Sequence, residues 1–289
     1  MENEIFNTFG IKIVSHYPFK RNDTDEVVNE ILISDDGKEY FLKEIQPHSD
    51  REDFDNLYFS LNKVSVQNIH LILPIAHRFN DNHFVFKISE KNFLLFPKFK
   101  ILPFEISKYP LDTLISKLKD FHIQIKEFQL EKQSYRNYES WLTMGAKRLR
   151  KKINFNCKFL DQFEFFLDGK FKEIHFLNGN IHWDIHRDNL GLNEVGELLL
   201  LDFDLVQEGC YLTDIAAAMS LYINWENFNE NDFEMFCKNN LKYLKETAKN
   251  VSEEDLNFLI KRNMLGDLAL IESLEEIKAK LNSFTLNLK

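Results

Sequence analysis

The chain has little of what marks fibrous, disulfide-stapled or membrane-spanning proteins. Its 289 residues include only 9 glycines, 6 prolines and 3 cysteines, which excludes collagen-like and low-complexity sequences. Cys157, Cys210 and Cys237 form no CxxC pair and cannot pair completely, so we expect a reducing, cytoplasmic compartment. No apolar run approaches the roughly 20 residues of a transmembrane helix, and no signal-peptide pattern is visible, so we expect no membrane partner.

The chain also has fewer basic than acidic residues. The 46 acidic residues outnumber the 36 lysines and arginines, which gives a net charge of −10. This balance argues against a nucleic-acid partner and favours a cationic ligand. Apolar material, by contrast, is ample at 44% of the residues, including 28 phenylalanines. The length predicts one bilobal unit or two small domains.

The first hundred residues predict strands with one helix. A hairpin is expected over 27–45, around an Asp-Asp-Gly turn at 35–37. Alternation places Lys43 on the same face as Phe41, and a lysine on an apolar strand face needs a partner. A capping-box pattern precedes a predicted helix at 53–64, and two further strands are expected at 83–88 and 92–99.

From about residue 110 the periodicity is helical. Apolar residues three and four apart predict an amphipathic helix beginning at 111. Further helices are expected at 138–152, 212–223, 232–249 and 252–282, with a β-rich island at 174–205. The sequence therefore predicts an α+β, bilobal chain with a small β-rich lobe at 1–100 and a larger, mainly helical lobe at 101–289.

The β-rich island carries the residues best suited to chemistry. Asp184 and Asn189 lie five apart in a polar loop, and Asp202 ends a strand of four consecutive leucines. A turn at 194–196 would bring Asn189 back beside Asp202. An amide oxygen and a carboxylate that converge suit Mg²⁺, which keeps waters for substrate phosphates. Asp184 would then face the acceptor, as phosphoryl transfer requires.

Two motifs of this island resemble those of the aminoglycoside phosphotransferase/choline kinase-like family. They are HxDxHxxN at 182–189 and LDF, similar to the family's IDF, at 201–203. Three weaker matches agree in order and spacing, namely the strand lysine in Phe-Leu-Lys at 41–43, an "LaxLH" helix at 118–122 and a "DLA" segment at 214–216. The resemblance implies a protein-kinase-like fold and an enzyme that phosphorylates a small-molecule hydroxyl.

The resemblance also implies a role for each matching residue. Asp184 corresponds to the catalytic base, while Asn189 and Asp202 correspond to the metal ligands. Lys43 corresponds to the lysine that contacts the α- and β-phosphates of ATP and pairs with a helix carboxylate. Glu52 has the usual residue type for that carboxylate, and Asp55 is the alternative.

The nucleotide-binding region shows further matches and some departures. The segment 95–98, with Phe96 and Lys98, resembles the hinge whose backbone holds adenine. Trp183 stands where the family usually has glycine, and Asp204 follows the metal aspartate where protein kinases have glycine. No glycine-rich phosphate loop precedes the second strand, so GTP remains an alternative to ATP.

Acidic residues near the island point to the acceptor. Asp188, Asp204 and the acidic stretch at 226–234 suggest an electronegative cleft that attracts an amine-bearing hydroxyl compound. We therefore expect an aminoglycoside-like antibiotic or an amino alcohol as the substrate, with antibiotic resistance as one possible outcome of the former.

Two other functions remain open, and the histidines of the motifs also have structural interpretations. The chain could be a catalytically dead kinase-fold binding module. Alternatively, the Asp-Phe-Asp at 202–204 could be the DxD of a glycosyltransferase. His182 and His186 are four apart, which suits zinc, although loop-supporting histidines are favoured. His122, on an apolar helix face, is expected to be a buried histidine with a partner.

Overall fold

The computed structural model describes residues 1–19, 29–45, 51–64, 69–126, 128, 178–223, 230–245, 252–257, 259–260 and 263. They fall into two compact units. The first takes its described residues from 1–104, 128 and 188–206, and the second from 105–126, 178–187 and 207–263. Within these described stretches, no helix is both long and apolar enough to cross a bilayer.

The first unit begins with helix α1 (Glu2–Phe9) and a five-stranded antiparallel sheet. Its strands are β1 (Ile13–Pro18), β2 (Asn29–Ser34), β3 (Glu39–Glu44), β5 (Phe86–Ile88) and β6 (Lys91–Pro97). They lie side by side in the order β1-β2-β3-β6-β5. Helix α2 (Arg51–Leu61) lies between β3 and β6 in sequence.

Side-chain alternation gives this sheet two different faces. One face packs against α1 through a buried cluster that includes Ile5, Phe9, Leu42 and Leu95. The other face carries Phe41 and, two residues along β3, Lys43. The α1 cluster thus lies on the face opposite Lys43, while the lysine face also carries the buried Leu94 and Phe96, which pair with Lys43 and Phe41.

A second, four-stranded sheet completes the first unit. Its order is β4-β10-β9-β7, built from β4 (Ile69–Leu71), β7 (Leu102–Pro103), β9 (Leu190–Leu192) and β10 (Leu198–Leu200). Strands β9 and β10 form an antiparallel hairpin whose turn places Gly196 at φ 83°, a conformation that suits glycine. All three leucines of β10 are buried, as the apolar run predicts.

The second unit is built around helix α3 (Leu111–Ile125). It packs against helix α4 (Tyr211–Ser220) and against β8 (Asn178–Ile181), which pairs with β11 (Gln207–Cys210). Every residue of α4 is buried. Helix α5 (Glu230–Lys245) follows in sequence.

The structure agrees with most expected elements and adds others. The hairpin, helix α2, the strand pair β5–β6, α3 and the β9–β10 hairpin lie within a few residues of their predicted positions. Helix α1 and strand β1 were not predicted. The predicted helix at 138–152 and most of that at 252–282 lie outside the described residues. The predicted cut at residue 100 is close to Phe104, where the first long segment of unit one ends, yet 188–206 also groups with that unit; the functional labels of the two lobes stay predictions.

Candidate active site

Lys43 meets two carboxylates within the first unit. Its Nζ lies 2.9 Å from Asp202 Oδ1 and 2.7 Å from Asp204 Oδ2. The lysine side chain is only 19% exposed, so these ion pairs are only partly screened by solvent. The strand lysine that the sequence left in need of a partner therefore has two.

The surroundings of Lys43 change its acid–base behaviour in two opposing ways. Burial by itself lowers the pKa of Lys43, whereas the nearby Asp204 and Asp202 carboxylates raise it. The carboxylates prevail, and the pKa of Lys43 lies above its ordinary value. Lys43 is therefore a stable cation at neutral pH, which is the state that contacts phosphate oxygens.

The β9–β10 hairpin brings Asn189 next to Asp202. The Leu201 N–H donates to the Asn189 carbonyl at 3.0 Å, directly beyond the paired residues Leu190 and Leu200. Asp202 itself has φ 58°, in the left-handed region that non-glycine residues seldom adopt. Backbone strain of this kind concentrates at functional sites. The hairpin prediction from the sequence is thus confirmed in its geometry.

The donor set at this hairpin fits a hard divalent cation. Asn189 is buried and Asp202 is partly exposed, so an amide oxygen and a carboxylate lie on adjacent chain segments. Among the described residues there is no cluster of three or more His, Cys, Asp or Glu able to hold a metal. A site with only two protein ligands suits Mg²⁺, which completes its shell with water and phosphate oxygens.

Helix α2 reaches the lysine site through Tyr58, which the sequence analysis did not identify. The Tyr58 hydroxyl donates to Asp204 Oδ1 at 2.8 Å, and its side chain is fully buried. Burial and the nearby Asp204 and Asp202 carboxylates raise the pKa of Tyr58, so its hydroxyl remains a donor. In the sequence, Tyr58 lies one helical turn after Phe54, and this spacing indicates only that both side chains pack in the core.

The two carboxylates predicted as alternative lysine partners have different outcomes. Asp55 is buried, and its Oδ1 accepts the N–H groups of Phe84 and Val85 at 2.6 and 2.9 Å. Its Oδ2 lies 2.8 Å from His83 Nδ1. Asp55 thus ties α2 to the chain before β5. The side chain of Glu52 lies outside the described residues, so its pairing with Lys43 stays a prediction.

The predicted hinge residues lie at the end of β6. The Lys98 N–H donates to the Glu39 carbonyl at 3.0 Å, and Lys98 Nζ pairs with Glu39 Oε2 at 2.8 Å. Because hydrogen-bonded pairs recur every two residues along an antiparallel ladder, Phe96 also faces β3, opposite Phe41. The backbone groups that face away from β3 belong to Leu95, whose carbonyl accepts the Ile75 N–H, and to Pro97.

In the second unit, Asp214 fixes the loop that carries the predicted base. Its Oδ2 accepts the His182 N–H at 2.7 Å and lies 2.8 Å from His122 Nε2, while its Oδ1 accepts the Trp183 N–H at 2.8 Å. Asp214 is fully buried and His122 nearly so. This explains both the "LaxLH" and "DLA" patterns, and His122 is confirmed as a buried histidine with a partner.

Asp184 follows this anchored pair and is partly exposed. Its N–H lies 3.4 Å from His182 Nδ1, a long contact on the buried side of the loop. Its Oδ2 lies 3.4 Å from His186 Nε2. Both histidines of the motif therefore contact Asp184, as loop-supporting residues do, and the described residues hold no cluster that favours zinc.

Trp183, just before Asp184, is in an unusual backbone conformation. Its φ is 73°, which glycine adopts without strain and tryptophan does not. A Cβ at Gly209 of β11 would lie 3.5 Å from Trp183 Cζ3 and 2.5 Å from Ile181 Cδ1. The indole thus lies close to the space that the glycine leaves on β11. The loop keeps the backbone that a glycine would supply, although a large side chain occupies the position.

Comparison with known proteins identifies the fold. No protein-family profile matches the chain, and no curated protein sequence matches it either. Solved structures do match, among them the amicoumacin kinase hAmiN in complex with AMP-PNP, Ca²⁺ and Ami, at 15% identity and a TM-score of 0.62, covering 98% of this chain and 89% of that one.

Two other structures extend this likeness. Spectinomycin phosphotransferase APH(9)-Ia with ADP and spectinomycin has 15% identity and a TM-score of 0.58, covering 99% of this chain and 92% of that one. The choline kinase LicA from Streptococcus pneumoniae has 14% identity and a TM-score of 0.59, covering 99% and 95%.

At these identities the likeness establishes the fold. The α+β, bilobal protein-kinase-like fold is confirmed, and the structures that share it are of the kind named by the sequence resemblance, namely aminoglycoside phosphotransferases and choline kinase. This kinase-like fold leaves the DxD glycosyltransferase interpretation without structural support. The protein has the fold that aminoglycoside phosphotransferases share with choline kinase.

Proposed function

We propose that the protein is an ATP- and Mg²⁺-dependent phosphotransferase that phosphorylates a hydroxyl group of a small molecule. The observation that carries the proposal is the convergence of Lys43, Asp202 and Asn189 in the first unit. A partly buried cation beside a carboxylate and an amide oxygen is what a metal–triphosphate complex requires. The loop that presents Asp184, fixed by Asp214, supplies the remaining group.

Each of these residues has a task in this reaction. Bound together with the nucleotide, Mg²⁺ supplies positive charge that neutralises the phosphate oxygens as the γ-phosphoryl group transfers. Asn189 and Asp202 would hold it. Lys43, released from Asp202, contacts the phosphates, and Asp184 orients the acceptor hydroxyl and takes its proton.

Two variants test this division of labour. Asp184→Asn should bind ATP with Mg²⁺ like the wild type but turn over roughly 10²–10⁴-fold more slowly, the usual contribution of a positioned general base. Asp202→Ala should lose Mg²⁺-dependent binding of ATP, measured by calorimetry. Near wild-type turnover of Asp184→Asn would remove it from the base role, and unchanged binding by Asp202→Ala would overturn the metal site.

The same pair of measurements separates an enzyme from a catalytically dead kinase-fold module. A binding module would hold nucleotide but release no phosphorylated product with any acceptor. Because Asp184, Asn189 and Asp202 are all present in the chain, we favour the enzyme.

The geometry of β6 favours ATP over GTP. With Phe96 and Lys98 facing β3, the carbonyl of Pro97 is the group of the hinge segment that can receive the exocyclic amine of adenine. Guanine presents a carbonyl oxygen at that position, and two acceptors repel each other. Competition binding in the presence of Mg²⁺ should therefore rank ATP above GTP; equal affinities would count against this hinge assignment.

We further propose an amine-bearing acceptor, such as an aminoglycoside-like antibiotic or an amino alcohol. Asp204 attracts a cationic substrate less than the sequence suggested, because its charge is offset by the ion pair with Lys43. Asp184, the exposed Asp188 and the net charge of −10 still favour a cation. Residues 226–229 of the acidic stretch lie outside the described residues.

A salt titration with a panel of acceptors tests the cationic substrate. For a cation, kcat/KM should fall as ionic strength rises from about 10 to 300 mM, because the Debye length shrinks below about 10 Å. The panel combines aminoglycosides, amino alcohols, homoserine and neutral sugars, with products read by mass. If the preferred acceptor is neutral or anionic, the proposal of a cationic substrate is wrong, whereas the proposal of a kinase is unaffected.

We also propose that the protein acts in the cytoplasm. The use of ATP as the phosphate donor and an odd number of cysteines, which cannot all pair, support this compartment.

A further inference from the structure

We propose that Tyr58 is a positioning residue that couples helix α2 to Lys43 through the carboxylate of Asp204. The inference rests on the proposed function and names a part of its nucleotide site that neither the motifs nor the comparisons assign. Asp204 then acts as a fixed counter-ion of Lys43, and Tyr58 determines where that counter-ion lies.

The contacts of Asp204 carry this inference. One carboxylate oxygen, Oδ1, accepts the Tyr58 hydroxyl at 2.8 Å, and the other, Oδ2, lies 2.7 Å from Lys43 Nζ. Each oxygen therefore has one strong partner, one from α2 and one from β3. Charge-assisted hydrogen bonds of this kind are about twice as strong as neutral ones.

The tyrosine ring is itself held by its neighbours. It packs against Phe54, Phe84 and Phe96, with ring centroids 6.1–6.4 Å apart. All of these neighbours are buried, and a phenylalanine would suit such surroundings equally well. A hydroxyl in these surroundings carries a desolvation cost, which its bond to Asp204 offsets.

This arrangement has a consequence for nucleotide binding. Lys43 also contacts Asp202 at 2.9 Å, the residue proposed to hold the metal. If Asp202 held the metal, Asp204 would remain to hold Lys43 in place for the phosphates. Tyr58 fixes Asp204 in the position in which it pairs with Lys43, so that helix α2 controls the position of the lysine.

The test compares Tyr58→Phe with a matched control, Tyr222→Phe. The Tyr222 hydroxyl donates to the Tyr109 carbonyl at 2.6 Å in the second unit, so both variants remove one phenol hydrogen bond. We expect Tyr58→Phe to raise the KM for ATP with Mg²⁺ about 10-fold, at the lower end of the effect of losing one hydrogen bond to a charged group. Its KM for the acceptor should change less than twofold, and Tyr222→Phe should leave both constants within twofold. An unchanged KM for ATP in folded Tyr58→Phe would overturn the proposal.

A double-mutant cycle with Asp204→Asn decides whether Tyr58 acts through Asp204. Asn keeps an acceptor for the phenol but removes the charge beside Lys43, so this variant tests the pathway even if Tyr58→Phe fails to fold. The double variant should bind ATP no more than twofold worse than Asp204→Asn alone, since the effects are coupled. Additive losses, or a normal ATP affinity of Asp204→Asn, would refute the inference.

The free energies of unfolding of the same four proteins, measured in urea, separate this inference from the proposed function. Coupling between Tyr58 and Asp204 in the unfolding free energy needs no catalysis. If the wild type binds no nucleotide while that coupling is present, the phosphotransferase assignment fails and the contact stands. If nucleotide binds and no coupling is found, the positioning role of Tyr58 fails alone.

Discussion

Replacing Asp214 by asparagine should show how strongly the loop that carries the proposed base, Asp184, depends on one carboxylate. The side chain is fully buried, and it accepts the N–H groups of His182 and Trp183 while contacting His122 Nε2 at 2.8 Å. Asparagine has the same shape but only one acceptor oxygen, and its amide group would point two hydrogens at a donor. At least one buried donor would therefore lose its partner.

The magnitude follows from these contacts. An unsatisfied buried polar group costs about 1–3 kcal/mol, and a hydrogen bond to a charged group contributes about 1.5–3 kcal/mol. We therefore expect Asp214→Asn to lower the free energy of unfolding by roughly 2–4 kcal/mol, measured by urea denaturation at pH 7. The matched control is Asp120→Asn on α3, which is exposed and should change stability by less than about 0.5 kcal/mol.

The loop geometry gives a second readout of the same variant. Because Asp184 directly follows the anchored pair His182–Trp183, a displaced loop would move this proposed base relative to the acceptor hydroxyl. An error of about 1 Å at a reacting group costs on the order of 100-fold in turnover. The ATP affinity, which we propose depends on residues of the first unit, should change less than threefold. A destabilisation below about 1 kcal/mol with normal turnover would refute the anchoring role of Asp214.

The packing beside the loop leads to two further predictions. Trp183→Gly should be more stable than Trp183→Ala by about 1 kcal/mol, because only glycine relieves the positive φ; an alanine variant of equal or greater stability in thermal unfolding would contradict this. Gly209→Ala should cost about 1–3 kcal/mol because its Cβ would lie 2.5 Å from Ile181 Cδ1. Adding Ile181→Val, which removes that methyl group, should recover part of the loss; no recovery would mean that the strain arises elsewhere.

Local sequence patterns were sufficient to predict the elements around the site. Alternation located the strand that carries Lys43, and the four-leucine run with its turn placed Asn189 beside Asp202. These patterns work because side-chain periodicity and turn residues act over a few positions. The same patterns missed helix α1, whose apolar residues Ile5 and Phe9 become meaningful only once a sheet covers them.

The partner of Lys43 shows where sequence reasoning ended. The spacing of the chain offered Glu52, whose side chain lies outside the described residues, and Asp55. The structure shows Lys43 paired with Asp202 and Asp204, about 160 residues away. Asp55 instead binds two backbone N–H groups before β5. No local pattern distinguishes a tyrosine that fills the core from Tyr58, whose hydroxyl reaches Asp204.

The sequence by itself therefore determined the kinase-like order of elements and the residues that we propose for phosphate contact and for the base. Only the tertiary structure decided which carboxylate meets which cation and which buried group fixes the loop. The physical reason is that periodicity is a property of neighbouring residues, whereas an ion pair such as Lys43–Asp204, or the contact of His122 with Asp214, depends on chain segments that folding alone brings within 3 Å.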